Sequence, residues 1–538
     1  MTEEAVFNIY SLVNESTITL KSPVPAKMDE VSPIAITVRL HFPGERPMKA
    51  TAIGKTARKA YLKALSRLAQ TNHSKLRELK SLHPKTSLTV YFNKEPLNTE
   101  TNLVNRIVEN GNKAIIIERD EERDVLLAPL DYLPLQKSGK ELLSQYAEDN
   151  LFALSQTTWA TCNDQRTVVK LNGTQYPRIK LDSQQVRTAI LRAGAYLVRG
   201  QSTNGMFDYE YNSWEDDSSD EYNIVRHAGV TWAILRLYNT LGNTVFLKSG
   251  IKGVKYLLNR IEWNNNRRIA FVTPENRSVL GATALSIMAL LELPPHLQKT
   301  SVTNAAIALG NGLLYLMTPD GDFYRTIEDK KQKQVEERPM MFFPGESLLA
   351  LSRLWQEFGN YWKKSSLLAA FKQANNFDSH GTNCHWSVQA LALSGKLDGS
   401  RFLLDKSVKM AEKLTENQYD NTRENKAGGW PNPSGQPTAC SAACRLEALG
   451  PAIDSGSYLG IDCTVLKSRM LKGAEFIISQ QITKNNGFFL PDPEKAHGGI
   501  KMFPEIHTVR MDVNQHSIAA LLNTLQLLEK SPYLLTGL

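Results

Sequence analysis

Cysteine is scarce in this chain, with five in 538 residues. The number is odd and the spacing outlines no disulfide framework, so a reducing, cytoplasmic setting is expected. Long apolar runs are missing too. No stretch approaches the roughly 18 uninterrupted apolar residues of a spanning helix, and no membrane role is expected. The opening segment, MTEEAVFNIYSLVNESTITLKSPVP, starts acidic and has no basic leading region, which argues against a secretory signal. There is no phosphate-binding Walker loop, dinucleotide fingerprint, Gly-x-Ser-x-Gly elbow or Cys-x-x-Cys pair. Charge of one sign is not extreme either. The formal net charge of +8 is compatible with an anionic ligand and demands none.

What is present is ordinary globular composition, 42% hydrophobic and 22% charged, in a chain long enough for two or three domains. Residues 1–181 read as α+β. Pro33–Phe42 and Ser87–Phe92 alternate and carry β-branched residues as strands do, and Ala114–Leu130 is two apolar runs about a charged turn, a hairpin pattern. A helix is predicted between the first two strands, over Ala50–Gln70. Its Lys55, Arg58, Lys59, Lys63 and Arg67 form a solvated basic face before an anion-binding one, so nucleic acid is not an expected partner.

From Asp182 to the end the pattern becomes long helices of two alternating kinds. Amphipathic helices are predicted at Ser183–Arg199, Val245–Ile261, Val302–Met317, Tyr361–Asn376, Arg401–Asn417 and Val465–Gln480. Each is followed by a helix apolar nearly all round: His227–Tyr238, Gly281–Leu291, Glu346–Trp355, His385–Leu393, Thr438–Leu449 and His516–Leu527. Six such hairpins are what a two-layer helical barrel requires, so the fold expected is mainly α: an (α/α)6 toroid over 182–538, preceded by a smaller α+β domain. The starts of the inner helices then ring one pocket. Short turns such as Asn204-Gly205-Met206-Phe207, Asp320-Gly321-Asp322-Phe323, Gly428-Gly429-Trp430 and Asn486-Gly487-Phe488-Phe489 follow outer helices.

With Gln201 and Gln480 preceding them, these turns resemble the Gln/Gly/aromatic turns of the α/α-toroid superfamily over about 182–530. That group includes terpene cyclases, protein prenyltransferases, lanthionine cyclases, six-hairpin glycosidases and N-acylglucosamine 2-epimerases. The resemblance implies the fold and leaves the chemistry open. Separately, AIIIERDEERDVLLAPLDYL followed by SGKELLSQYA resembles the second half of an AMMECR1-type domain, without that family's Cys-Ile-Gly motif.

Three inner helices start with histidine: His227 after Arg226, His385 before Trp386, and His516. A fourth starts at Glu346. The helix dipole there favours neutral imidazole, ready to accept a proton, and an ionised carboxylate. His385, His516, His227 and Glu346 are therefore the candidate catalytic residues. Trp386 offers a stacking face for a sugar. The helix-start pair His385-Trp386 and the run Arg510, Asp512, His516 resemble those of the sugar-epimerase toroids. Phe207, Asp208, Glu210, Trp214, Arg226, Trp430, Arg510 and Asp512 complete the candidate binding set. Arg510 is the candidate clamp for an anionic group, against a plain salt bridge to Asp512. Glu215–Asp220 reads as an exposed acidic loop.

The function expected is a carbohydrate-active enzyme, an epimerase, isomerase or glycoside hydrolase, acting without cofactor on a small-molecule or oligosaccharide substrate. One alternative is a non-catalytic scaffold for glycan, peptide or nucleic acid. Another is a zinc-dependent lanthionine-type cyclase using Cys384, His385 and Cys440, with Cys444 as a further soft donor, although Cys440 and Cys444, one helical turn apart among alanines, read first as small core residues.

Overall fold

The computed structural model describes residues 33–42, 45–54, 57–72, 74–75, 85–96, 113–118, 125–127, 150–161 and 168–170. From 181 it describes all residues to 530 except 265, 274–276, 325, 329–332, 336–341, 382, 421–425, 433–434 and 505. Lys55 and the segment 138–147 lie outside them.

Before residue 181 the described chain is one antiparallel sheet and a covering helix. Its strands are β1 (Pro33–His41), β2 (Met48–Ile53), β3 (Lys85–Pro96), β4 (Lys113–Glu118), β5 (Val125–Leu127), β6 (Asn150–Thr161) and β7 (Val168–Lys170). They lie in the order β2-β1-β3-β6-β4-β5, with β7 also on β6. The predicted 114–130 hairpin is β4 against β5, Ile115 opposite Leu127. The predicted helix begins later than its composition implies. Ala50–Ile53 pairs with Val38–Ala35 as part of β2, and α1 spans Ala57–Thr71. The β-branched Thr51 and Ile53 complete a ladder there, which outweighs helix propensity. Ala60, Tyr61, Ala64 and Leu68 give α1 an apolar stripe, which buries against Ile36, Val38, Leu88 and Val90 of the sheet. Lys59, Lys63 and Arg67 stay on the exposed side.

The toroid follows from the alternation. The outer helices are α2 (Ser183–Arg199), α4 (Thr244–Leu258), α6 (Thr300–Tyr315), α8 (Lys363–His380), α10 (Arg401–Leu414) and α12 (Thr464–Ser479). Between them run the inner helices α3 (Ile224–Leu241), α5 (Leu280–Leu291), α7 (Phe343–Phe358), α9 (His385–Asp398), α11 (Ala439–Leu459) and α13 (Met511–Lys530). Each inner helix packs on the next, and α13 packs back on α3, so the ring is closed. Every residue of α5 is buried, as a helix with neighbours on all sides must be.

The turn repeat now has a physical account. Gln201 donates its side-chain amide to the carbonyls of Gly205 and of Ser249 on the next outer helix. Gln418 does the same to Gly428 and Arg469. Gln481 bonds Gly498 and Ala189 of α2, stitching the last outer helix to the first. The glycines Gly205, Gly428 and Gly498 have φ of +97°, +83° and +86°, and a Cβ on any of them would strike a carbonyl of the neighbouring outer helix. In the sixth hairpin these roles fall to Gln481 and Gly498, not to the expected Gln480 and Gly487.

A four-stranded rim sheet closes the ring a second time. It joins β8 (Glu210–Asn212) and β9 (Asp217–Ser218) of the first hairpin to β10 (Lys501–Phe503) and β11 (Ile506–Arg510) of the last. The α+β sheet docks on this rim. Glu215 Oε1 lies 2.9 Å from Lys49 Nζ and 3.6 Å from Arg39 Nε, Asp217 pairs with Arg46 at 3.0 Å, and the Arg39 guanidinium sits 5.2 Å from the Trp214 ring. Glu215 is thus an interdomain anchor, unlike the exposed loop residue expected. Ser218–Asp220 beyond it are exposed.

Candidate active site

The chemistry gathers where α3, α9, α11 and α13 converge at one end of the ring. The Cys384 sulfur accepts the Ser387 N–H at 3.4 Å and so caps α9, which begins at His385. The His385 ring is 4% exposed. Its centroid lies 4.7 Å from Trp386 and 5.4 Å, edge-on, from His516 of α13. His516 Nδ1 meets Glu447 Oε1 of α11 at 2.8 Å. Glu447 is fully buried, and its other oxygen accepts from Gln389 Nε2 at 3.5 Å and lies 3.9 Å from His385 Nε2.

The two imidazoles therefore differ in kind. Burial alone would lower the His516 pKa, but the adjoining Glu447 carboxylate outweighs it and raises the value to about 9. His385 is pushed well below the ordinary histidine value, first by burial and then by the charges of His516 and Arg445. His385 Nε2 is buried with no hydrogen-bond partner. One ring is an imidazolium tied to a carboxylate, and the other is a neutral imidazole with a nitrogen to spare.

At the mouth, Asp512 joins two arginines. Arg510 grips it with Nε at 2.6 Å and Nη2 at 3.0 Å, and Arg226 Nε reaches it at 3.0 Å. Burial would raise the Asp512 pKa, but the two guanidiniums outweigh it and hold the carboxyl ionised. The Arg226 guanidinium also bonds the Tyr209 hydroxyl and lies over its ring. Glu210 stands opposite Arg510 across the rim sheet. The salt bridge set against an Arg510 clamp is thus present in full.

Other candidates lie elsewhere. His227 is fully buried and faces the outer layer, its Nε2 3.2 Å from the Gly253 carbonyl and its ring 4.5 Å from Tyr256. It is neutral because burial lowers its pKa to about 3. Phe207 packs on its other side at 5.1 Å. Glu346 is buried, and burial pushes its pKa up to about 8. The ionised state expected from the helix dipole gives way, because desolvation of a carboxylate outweighs a helix end. Trp386 is buried between Trp232 and the two histidines, at 5.7 Å from Trp232, so its faces are taken. Trp430 is core, donating its indole N–H to the Thr415 carbonyl. Trp214 belongs to the rim, beside Phe489 and His507. Asp208 lines a separate side cavity of about 400 Å³ with Tyr196, Arg199, Tyr211 and Lys495.

Two more residues complete the centre: Glu447, absent from the sequence-derived set, and Cys444, read there as a soft donor or a small core residue. Glu447 is a carboxylate in the alanine- and leucine-rich stretch Ala439–Leu449 of an inner helix, where Arg445 is the only other charge, and this was the signal available for it. Cys444 lies one turn before it, hydrogen-bonded to Cys440, and its sulfur joins the two imidazoles. The thiol near His385 and His516 is thus Cys444, while Cys384 is occupied as a helix cap.

No family model matches the chain, the AMMECR1-type resemblance of the N-terminal part included, and no curated protein matches it. Solved structures do. A cellobiose 2-epimerase from Bacillus thermoamylovorans superposes with a TM-score of 0.51 at 10% identity, covering 64% of this chain and 98% of that one. A D-mannose isomerase (TM-score 0.49, 14% identity, 65% and 100% covered) and a GH76 α-mannanase from Bacteroides thetaiotaomicron (0.47, 9%, 65% and 97%) are also similar. The helical two-thirds of the chain has the (α/α)6-toroid fold of the cellobiose 2-epimerase, joined to an N-terminal sheet region.

Proposed function

We propose that the toroid is a carbohydrate-active enzyme that moves a proton at a sugar carbon, an epimerase or isomerase, with His385 and His516 as its acid–base pair. The observation that carries this reading is the pairing itself. Two imidazoles stand 5.4 Å apart at a ring mouth, one tied to Glu447 and the other with a buried nitrogen free of partners. A neutral imidazole accepts a proton and an imidazolium donates one, so groups held in opposite states are what an enolisation needs.

In the proposed step an open-chain sugar lies against the two rings from the side of the inner-helix starts. His385 takes the proton from the carbon beside the carbonyl, and His516 gives its proton to the carbonyl oxygen, forming an enediol. Rotation of the enediol about its bond to the rest of the chain turns its other face to the protonated His385; return of that proton to the carbon, with the oxygen giving its proton back to His516, forms the epimer. Return to the former carbonyl carbon, with loss of a proton from the neighbouring hydroxyl, gives the isomer. Hydrolysis is less well served, since Glu346 and Glu447 are both buried and Glu447 is committed to His516. The likeness in fold to a cellobiose 2-epimerase agrees with a sugar substrate and adds nothing about which one.

The test is a panel of neutral sugars, amino sugars, uronates and oligosaccharides incubated with the protein in deuterated water. Deuterium bound to carbon without chain cleavage is expected, and lost in His385→Asn. Shorter chains without carbon-bound deuterium would mean hydrolysis. No change with any sugar, despite binding to one, would favour a scaffold.

A further inference from the structure

The same centre contains a donor set that proton transfer alone does not need. One ring nitrogen each of His385 and His516 and the Cys444 sulfur all lie within 4.8 Å of one another. They come from three different inner helices, so the closed ring sets their spacing. Cys440, one turn earlier on α11, shares a hydrogen bond with Cys444. Independently, His385 Nε2 is buried without a partner, an expensive arrangement unless something binds there.

We propose that His385, Cys444 and His516 form a binding site for a thiophilic divalent cation of the Zn²⁺ class. Two imidazoles and a thiolate are borderline-to-soft donors that suit such an ion and suit Mg²⁺ or Ca²⁺ poorly. A tetrahedral ion with metal–nitrogen bonds of ~2.0 Å and a metal–sulfur bond of ~2.3 Å draws its donors to about 3.3–3.6 Å apart. The site closes by about 1 Å to reach that, a change within side-chain torsions. Glu447 on His516 Nδ1 fixes the tautomer that leaves Nε2 for the ion, the usual support for a metal-bound histidine. Cys440, Cys444 and His516 are all partly accessible, so the site is open to an entering ion. Binding displaces the Cys444 thiol proton and any proton on the imidazoles into solvent.

A consequence rests on the acid–base reading above. Once the histidine lone pairs are on a cation, neither ring can take up a further proton, so metal occupancy and sugar turnover exclude each other.

The full-length protein, stripped with a chelator and dialysed, is titrated with Co²⁺, and Zn²⁺ affinity is measured by competition with a chromophoric chelator. One equivalent and a near-ultraviolet thiolate-to-cobalt charge-transfer band are expected. Cys444→Ser should abolish the band and weaken Zn²⁺ at least tenfold, with circular dichroism unchanged, while Cys384→Ser keeps both. No band in the parent protein, or a band that survives Cys444→Ser, overturns the proposal. Turnover by the stripped protein is read separately. Its absence alongside metal binding sinks the acid–base reading alone, and its presence without metal binding sinks the metal site alone.

Discussion

Glu447 offers the sharpest test of how the centre is built. Its carboxylate is fully buried, 2.8 Å from His516 Nδ1. At an effective dielectric constant near 20, opposite charges at that distance attract by about 6 kcal/mol. Desolvating the two groups costs several kcal/mol, so the pair is roughly neutral for folding while intact. Removing one member is a different matter. Glu447→Ala strands a largely enclosed imidazole and a buried Gln389 amide, and a loss of about 3 kcal/mol is expected. Glu447→Gln keeps the shape and an oxygen that accepts from Nδ1–H. It trades a charge-assisted bond for a neutral one, at a cost of about 1–2 kcal/mol. Both variants should lose turnover by about 10²–10⁴-fold, because the acid member of the pair is no longer held as an imidazolium. Urea denaturation of both variants, of His516→Ala and of the Glu447→Ala/His516→Ala double variant measures the coupling directly. Additivity within about 0.5 kcal/mol would refute the energetic pairing. Glu447→Gln turning over at nearly the parent rate would refute its role in proton transfer even if the pairing stood.

Acid stability should report His227, whose folded pKa of about 3 lies below the ordinary 6.5. The unfolded chain takes a proton that the folded one refuses, so stability falls with pH below about 6.5 by roughly 1.4 kcal/mol per unit, down to about pH 3. His227→Phe should flatten that share of the slope in denaturation at stepped pH, and an unchanged slope would contradict the burial assigned to the ring. The interdomain anchor should respond to charge reversal. Glu215→Lys sets like charges against Lys49 and Arg39, and faster protease cutting between sheet and toroid is expected, restored by adding Lys49→Glu. Equal cutting of all three proteins would argue against docking through Glu215, and because Lys49 is half-exposed its pair with Glu215 should contribute about 1 kcal/mol or less to stability.

The repeat was legible because burial imposes it: a helix enclosed on all sides must be apolar throughout, and one enclosed on one side must be striped. The sixth turn was harder to read. Gly498 arrives only after the short helix Pro493–Ala496, so the glycine that meets α2 is displaced from its outer helix, and Asn486-Gly487 presents the more familiar spelling nearby. Within the site, helix starts were legible and helix rotation was not. Arg226 and His227 are adjacent, but successive residues point about 100° apart on a helix. Arg226 therefore turns to Asp512 at the mouth, and His227 turns to Gly253 in the outer layer. No local pattern distinguishes those outcomes, since both residue types are compatible with either face. The charge of Glu346 was misjudged for a related reason: the dipole is read from the helix, while desolvation depends on neighbours from other helices.

Polar residues inside the inner helices carry information that their starts do not. A charged group in a helix with no solvent-facing side needs a partner from within the fold, and where that partner stands on another inner helix the pair marks the ring axis. Glu447 obeys this with His516. Further from the mouth, Arg236 of α3 lies over Trp232, which donates to Glu292 beyond α5, and Arg353 of α7 reaches the same Glu292 at 3.5 Å. Arg236 also bonds Asn523 of α13. These cross-links tie α3, α5, α7 and α13 together below the histidines. At the opposite end Arg226, Arg510, Cys440 and His516 remain partly accessible. The accessible side of the histidine centre is therefore that of the inner-helix starts, beside Asp512 and its two arginines. Under the acid–base reading proposed above the arginines would have a use even when fully paired: a substrate anion exchanging for one Asp512 oxygen would leave no buried charge uncompensated.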